Sequence, residues 1–127
     1  MKLIVENGGS KLDWLLLGNN NIHSHSGVNI LDSDEQVFLK MTNIFKPLLG
    51  SKEMIEIDFY TAGLTDVSKA RLHAFFLQNF NIRSLNIFSD MLAASRALFK
   101  NKNGIACILG TGSNCAYFDG VRNFRYR

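Results

Sequence analysis

The sequence predicts an α/β chain with the element order βββαβαβα, a mixed five-stranded sheet and a further β-hairpin at its C-terminal end. Three observations carry that prediction. Twice an apolar strand-like run ends in a tight glycine turn and a second strand-like run follows. Between these pairs, short alternating runs take turns with longer segments whose apolar residues recur at helical spacing. Clusters of asparagine and glycine mark the reversals.

Lys2 to Val5 and Leu12 to Leu17 read as strands around the turn Glu6-Asn7-Gly8-Gly9-Ser10-Lys11. Gly18-Asn19-Asn20-Asn21 makes a second turn, and Ile22 to Val28 returns as a third strand. Ser33 or Asp34 can cap a helix from about Glu35 to Leu49, with Val37, Phe38, Met41, Ile44, Phe45 and Leu48 on helical spacing and Pro47 near its end. Met54 to Tyr60 alternates like a strand. A helix from Asp66 to about Asn79 is expected to bury Val67, Ala70, Leu72, Phe75, Phe76 and Phe80. Ser84 to Phe88 is a strand, and Ser89 or Asp90 opens a helix through Phe99. Asn101-Lys102-Asn103-Gly104 stops that helix, with Gly104 suited to a left-handed cap. Ile105 to Leu109 and Cys115 to Phe118 then flank the turn Gly110-Thr111-Gly112-Ser113-Asn114.

At 127 residues, 46% hydrophobic and 20% charged, the chain has the composition of an ordinary globular protein with a real core. It contains no apolar run near the ~20 residues of a membrane span and no leader pattern, so the cytoplasm is the expected location and no membrane partner is expected. Cys107 and Cys115 have neither metal-like spacing nor a secretory context, and read as reduced core or near-core residues. The net charge of +3 is modest. Much of the excess sits in Arg122, Arg125 and Arg127. Asn123-Phe124-Arg125-Tyr126-Arg127 alternates, a pattern better suited to a strand with one apolar face than to nucleic acid, which is not an expected partner. His23 and His25 fall on one strand face; without a third ligand nearby they read as a polar surface before they read as a zinc site.

Glycine turns let a backbone approach an anion closely, and successive N–H groups can hold phosphate oxygens. Either turn alone is equally a plain hairpin. Two of them can grip one polyphosphate from opposite sides, which points to nucleotide chemistry.

Glu6 to Trp14 resembles the first phosphate motif of the actin-like sugar kinases, commonly D-x-G-x-T-K-x-D-W. Ile108-Leu109-Gly110-Thr111-Gly112-Ser113-Asn114 resembles the second phosphate motif, and Ser89 to Leu98 the segment that carries the catalytic aspartate. The branch is that of the N-acetylglucosamine kinases and BadF/BadG-type ATPases, and the resemblance runs from Met1 to about Gly120. It implies a ribonuclease-H-like lobe over residues 1–103 and the opening hairpin of a second lobe over 104–127. On this view the chain is truncated, and the resulting open edge makes a homodimer the expected assembly.

The resemblance implies ATP as co-substrate, Mg²⁺ as cofactor and an amino sugar such as N-acetylglucosamine as acceptor. Asp90 maps onto the base that takes the proton of a sugar hydroxyl; read alone, it is also the favourable acid of any helix N-terminus. Glu6 stands at the Mg²⁺-organising aspartate, one methylene longer. Gly8, Gly9, Ser10 and Lys11 match the first phosphate turn, and Gly110, Thr111, Gly112 and Ser113 the second. Asn114 and Asn29 map near the sugar, Asn29 through Gly27-Val28-Asn29 as the family's G-x-N. Asp13 and Trp14 match directly and are read as support for hairpin and core. Thr61 replaces a glycine in a Y-G-A-G-like turn and would be strained if that position required positive φ; Ala93 replaces another glycine where a helix interior favours alanine. The alternative to a sugar kinase is an inactive single-lobe relative that self-associates or binds a partner. A BadF-type activase fits less well, because Cys107 and Cys115 do not look like cluster ligands.

Overall fold

A computed structural model describes residues 1–19, 21–50, 54–109 and 113–125. By internal contacts it divides into two compact units, Met1–Phe88 and Ser89–Arg127.

The first unit is built on a five-stranded sheet from β1 (Lys2–Asn7), β2 (Lys11–Leu16), β3 (His23–Ser26), β4 (Ile55–Thr61) and β5 (Ile82–Ser89), in the spatial order β3-β2-β1-β4-β5. β1 pairs antiparallel with β2 and β2 with β3, while β1 and β4 run parallel. The mixed five-stranded sheet expected from the sequence is therefore present. Alternation decides its faces. Leu3, Val5, Leu12, Ile55, Ile57 and Phe59 point to one side and are fully buried there.

Helices α1 (Asp34–Leu49) and α2 (Asp66–Asn79) cover that side. Ser33 caps α1 by accepting the Gln36 N–H, and Asp34 and Glu35 suit its first turn. Pro47 sits inside the last turn, where the helix has little left to propagate. A capping box between Thr65 and Ser68 starts α2. Phe45, Phe59, Phe75 and Phe76 meet with ring centroids 5.3–6.4 Å apart, mostly edge-on, at the centre of the core. Two expected core residues stay outside it: Val67 is 73% exposed and Ala70 is also exposed. Ser68, tied to the cap, takes the inward position of that first turn instead.

The second unit packs α3 (Asp90–Phe99) with the antiparallel strands β6 (Gly104–Leu109), β7 (Ser113–Phe118) and β8 (Asn123–Arg125), ordered β6-β7-β8. Met91, Ala106 and Ala116 form its buried centre. Two expectations are corrected here. The positive-φ residue after α3 is Lys100 (φ 57°), while Gly104 belongs to β6 and is needed for space, because a Cβ there would overlap the Phe99 ring. Cys107 and Cys115 are not free thiols: the β6–β7 register sets them directly opposite, 4.1 Å apart at Cα, and a disulfide joins them. Among the described residues no helix is long and apolar enough to cross a membrane.

Candidate functional site

The turn between β1 and β2 carries the first candidate site. Gly8 N–H donates to the Lys11 carbonyl at 2.9 Å, and Gly9 takes the left-handed conformation (φ 91°) that closes the reversal. On the sheet face away from α1 and α2, Glu6 stands directly opposite Asp13. Glu6, Gly8, Lys11 and Asp13 line a shallow pocket of about 130 Å³. Like charges directly opposite on a sheet are unfavourable. Lys11 Nζ, 3.3 Å from Asp13 Oδ2, offsets that cost, and Ser24 Oγ donates to Asp13 Oδ1 at 2.6 Å. An ammonium, two carboxylates and a glycine backbone thus converge on one exposed spot. Two hard oxygen donors fit a magnesium ion, and the ammonium and open backbone fit phosphate.

The expected sugar residue Asn29 belongs to the same unit, in a segment fixed at both ends. Behind the turn, Gly27 N–H donates to Ser10 O at 3.1 Å. A Cβ on Gly27 would overlap the Gly9 carbonyl, so only glycine permits this approach. Further along, Arg71 on α2 donates to the Ile30 and Asp32 carbonyls, both at 2.8 Å, and pairs with Asp34 at 2.6 Å. Asn29 Oδ1 accepts the Leu31 N–H at 3.1 Å, leaving the side-chain amide as a donor for a ligand oxygen.

Two residues of this unit escaped the sequence pattern. Asn7 is fully buried; its Nδ2 donates to Val28 O (2.7 Å) and Thr61 Oγ1 (3.1 Å), and its Oδ1 accepts the Val28 N–H (3.0 Å). Arg71 is the other. A polar residue where a strand would bury an apolar one is the signal for Asn7; for Arg71 there is none. Thr61 ends β4 as a buried strand residue with negative φ, and Gly63 (φ 72°) turns the chain, so the anticipated strain is absent. His23 and His25 are exposed, as a polar face requires, and both attend to Trp14. His23 stacks on its indole at 4.0 Å, and His25 Nε2 accepts its Nε1–H at 2.9 Å. No group of three or more metal-ligating side chains occurs among the described residues.

In the second unit, Asp90 is the first residue of α3 and its Oδ1 accepts the Met91 N–H at 2.9 Å. Ser89 caps the helix through the Leu92 N–H. Asn114 lies on β7 opposite Ile108. Gly110, Thr111 and Gly112 lie outside the described residues, as does the Ser113 side chain.

No family model and no curated protein matches the sequence. Solved structures do. A Porphyromonas gingivalis protein provisionally assigned as an N-acetylglucosamine kinase matches at a TM-score of 0.85 and 30% identity, over 98% of this chain and 47% of its own. A Chromobacterium violaceum protein with the same provisional assignment shares the fold at a TM-score of 0.59 and 12% identity, over 91% of this chain and 44% of its own. The chain spans about half the length of these structures. The backbone fold agrees with the first match across nearly the whole sequence. The chain shares the sugar-kinase fold of these N-acetylglucosamine kinase-like structures, in agreement with the family that its motifs resemble.

Proposed function

We propose that the chain supplies the phosphate-turn lobe of an ATP-dependent sugar kinase that transfers the γ-phosphoryl group to a hydroxyl of an amino sugar, with N-acetylglucosamine favoured. The observation that carries this reading is the pocket of Glu6, Gly8, Lys11 and Asp13 at the β1–β2 turn, clasped by the segment that leads to Asn29. Residues 1–103 form the lobe and 104–127 open the second.

In this reading the β1–β2 turn and Lys11 hold phosphate oxygens, and Asn29 donates to the sugar. Asp90 accepts the proton of the attacking hydroxyl as its oxygen bonds to the γ-phosphorus and the bond to the β-phosphate oxygen breaks, releasing ADP. Glu6 and Asp13 would hold Mg²⁺, which when bound neutralises charge on the phosphates. The cytoplasm is the matching location.

Calorimetric titration with Mg-ATP, with and without N-acetylglucosamine, tests the reading. Saturable nucleotide binding followed by sugar-dependent ADP release, abolished in Asp90→Asn, supports it. Absence of any nucleotide binding supports the alternative, a single lobe that binds a partner or a second copy. The edge strand β3, exposed along its length, offers the unpaired backbone for such a dimer. Light scattering over a range of concentrations reads its mass.

A further inference from the structure

We infer that Asn7 and Gly27 are positioning residues that couple the phosphate turn to the sugar-contacting segment, so that nucleotide and sugar each strengthen the binding of the other. The inference rests on the kinase reading above and adds a device to it.

The β1–β2 turn and residues 27–29 are far apart in sequence but joined by direct bonds. Asn7, the last residue of β1, holds the Val28 peptide from both sides, accepting its N–H and donating to its C=O. Ser10, within the turn, accepts the Gly27 N–H. The Gly27 α-carbon rests so close to the Gly9 carbonyl that no side chain fits between them. Thr61 fixes the Asn7 amide from β4, and Ala62 N–H binds the Asn7 carbonyl at 2.8 Å. Asn7, Val28 and Thr61 are all fully or almost fully buried, so water does not compete for these bonds.

A buried amide with its full set of partners has one arrangement, and changing it breaks several bonds together. Phosphate oxygens that order the turn at Gly8 and Gly9 therefore also order Gly27 and Val28, and with them Asn29 one residue on. Arg71 holds the far side of the segment, so displacement at Val28 cannot dissipate along residues 30–34. Coupling of this kind is reciprocal: sugar at Asn29 orders the turn by the same free energy.

Titration of the full chain with ADP, alone and with saturating N-acetylglucosamine, gives a ratio of dissociation constants. In the wild type we expect a ratio within about 5–150-fold. In Asn7→Asp, which loses the donors to Val28 and Thr61, and in Gly27→Ala, which forces turn and segment apart, the ratio falls to about one, meaning no coupling. The charge added by the aspartate changes both ADP constants alike and drops out of the ratio. Thr61→Val, which frees the Asn7 amide while keeping a β-branched strand residue, lowers the ratio in a protein that folds if the other two do not. A wild-type protein that binds both ligands with a ratio of one, or variants that keep the wild-type ratio, overturn the inference and leave the kinase reading standing. A wild-type protein that binds no ADP overturns both.

Discussion

Asn7 would be expensive to replace. Alanine at this position strips the Val28 N–H and C=O of their partners in a site closed to water, and each buried group left unpaired costs about 1–3 kcal/mol. Asn7→Ala should lower the unfolding free energy by about 2–5 kcal/mol in urea titration, and a change below ~1 kcal/mol would show that water enters. Asp119 makes a prediction of a different kind. The Arg122 and then the Val121 backbone N–H, bonded to Oδ1 at 2.7 and 2.8 Å, hold its carboxyl below the ordinary value of 3.8. Since the folded value lies below the unfolded one, its contribution is complete above about pH 4 and disappears as pH falls through the folded value. Asp119→Asn should flatten the acid limb of the stability curve, and a carboxyl NMR titration locates the midpoint. At this scale the turn residues Gly8 to Lys11 were legible in the sequence because their bonds are local. Asn7 was not, since its partners lie 21 and 54 residues away.

Helices announce themselves through their ends. Ser33 and Ser89 each accept the N–H three residues on, and α2 and α3 run over the residues that spacing and capping indicate. What spacing misjudged was the start of α2, where a capping box turned Ser68 inward and left Val67 in solvent. Thr65→Ala should remove that box and cost about 1 kcal/mol, seen as a lower Tm. The end of α3 shows the opposite error, a cap placed at Gly104 when the chain turns at Lys100. A lysine at positive φ stores about 1–3 kcal/mol of strain. Lys100→Gly should therefore raise thermal stability by about 1 kcal/mol, net of the freedom that glycine adds to the unfolded chain, and a fall in Tm would count against strain there.

For the molecule as a whole, the order of strands and helices along the chain followed from period and punctuation. The spatial order β3-β2-β1-β4-β5 and the side that the helices cover are instead set by pairings between distant segments. The pairing of Cys107 with Cys115 was not legible in the sequence either. Spacing alone cannot say that two residues eight apart face each other; only the hairpin register does. Closing so short a loop stabilises the folded hairpin by about 2–3 kcal/mol on the chain-entropy account. Reduction should accordingly raise amide exchange at Ala106 and Ala116 by the equivalent factor, and unchanged exchange would sink that estimate. The same crosslink makes the peptide from Cys107 to Cys115 a covalent ring that contains the whole second glycine motif. A protease that cuts once inside the ring would release nothing: the nicked protein would gain the mass of one water, keep its mobility under oxidising conditions, and separate into two pieces only when a thiol is added.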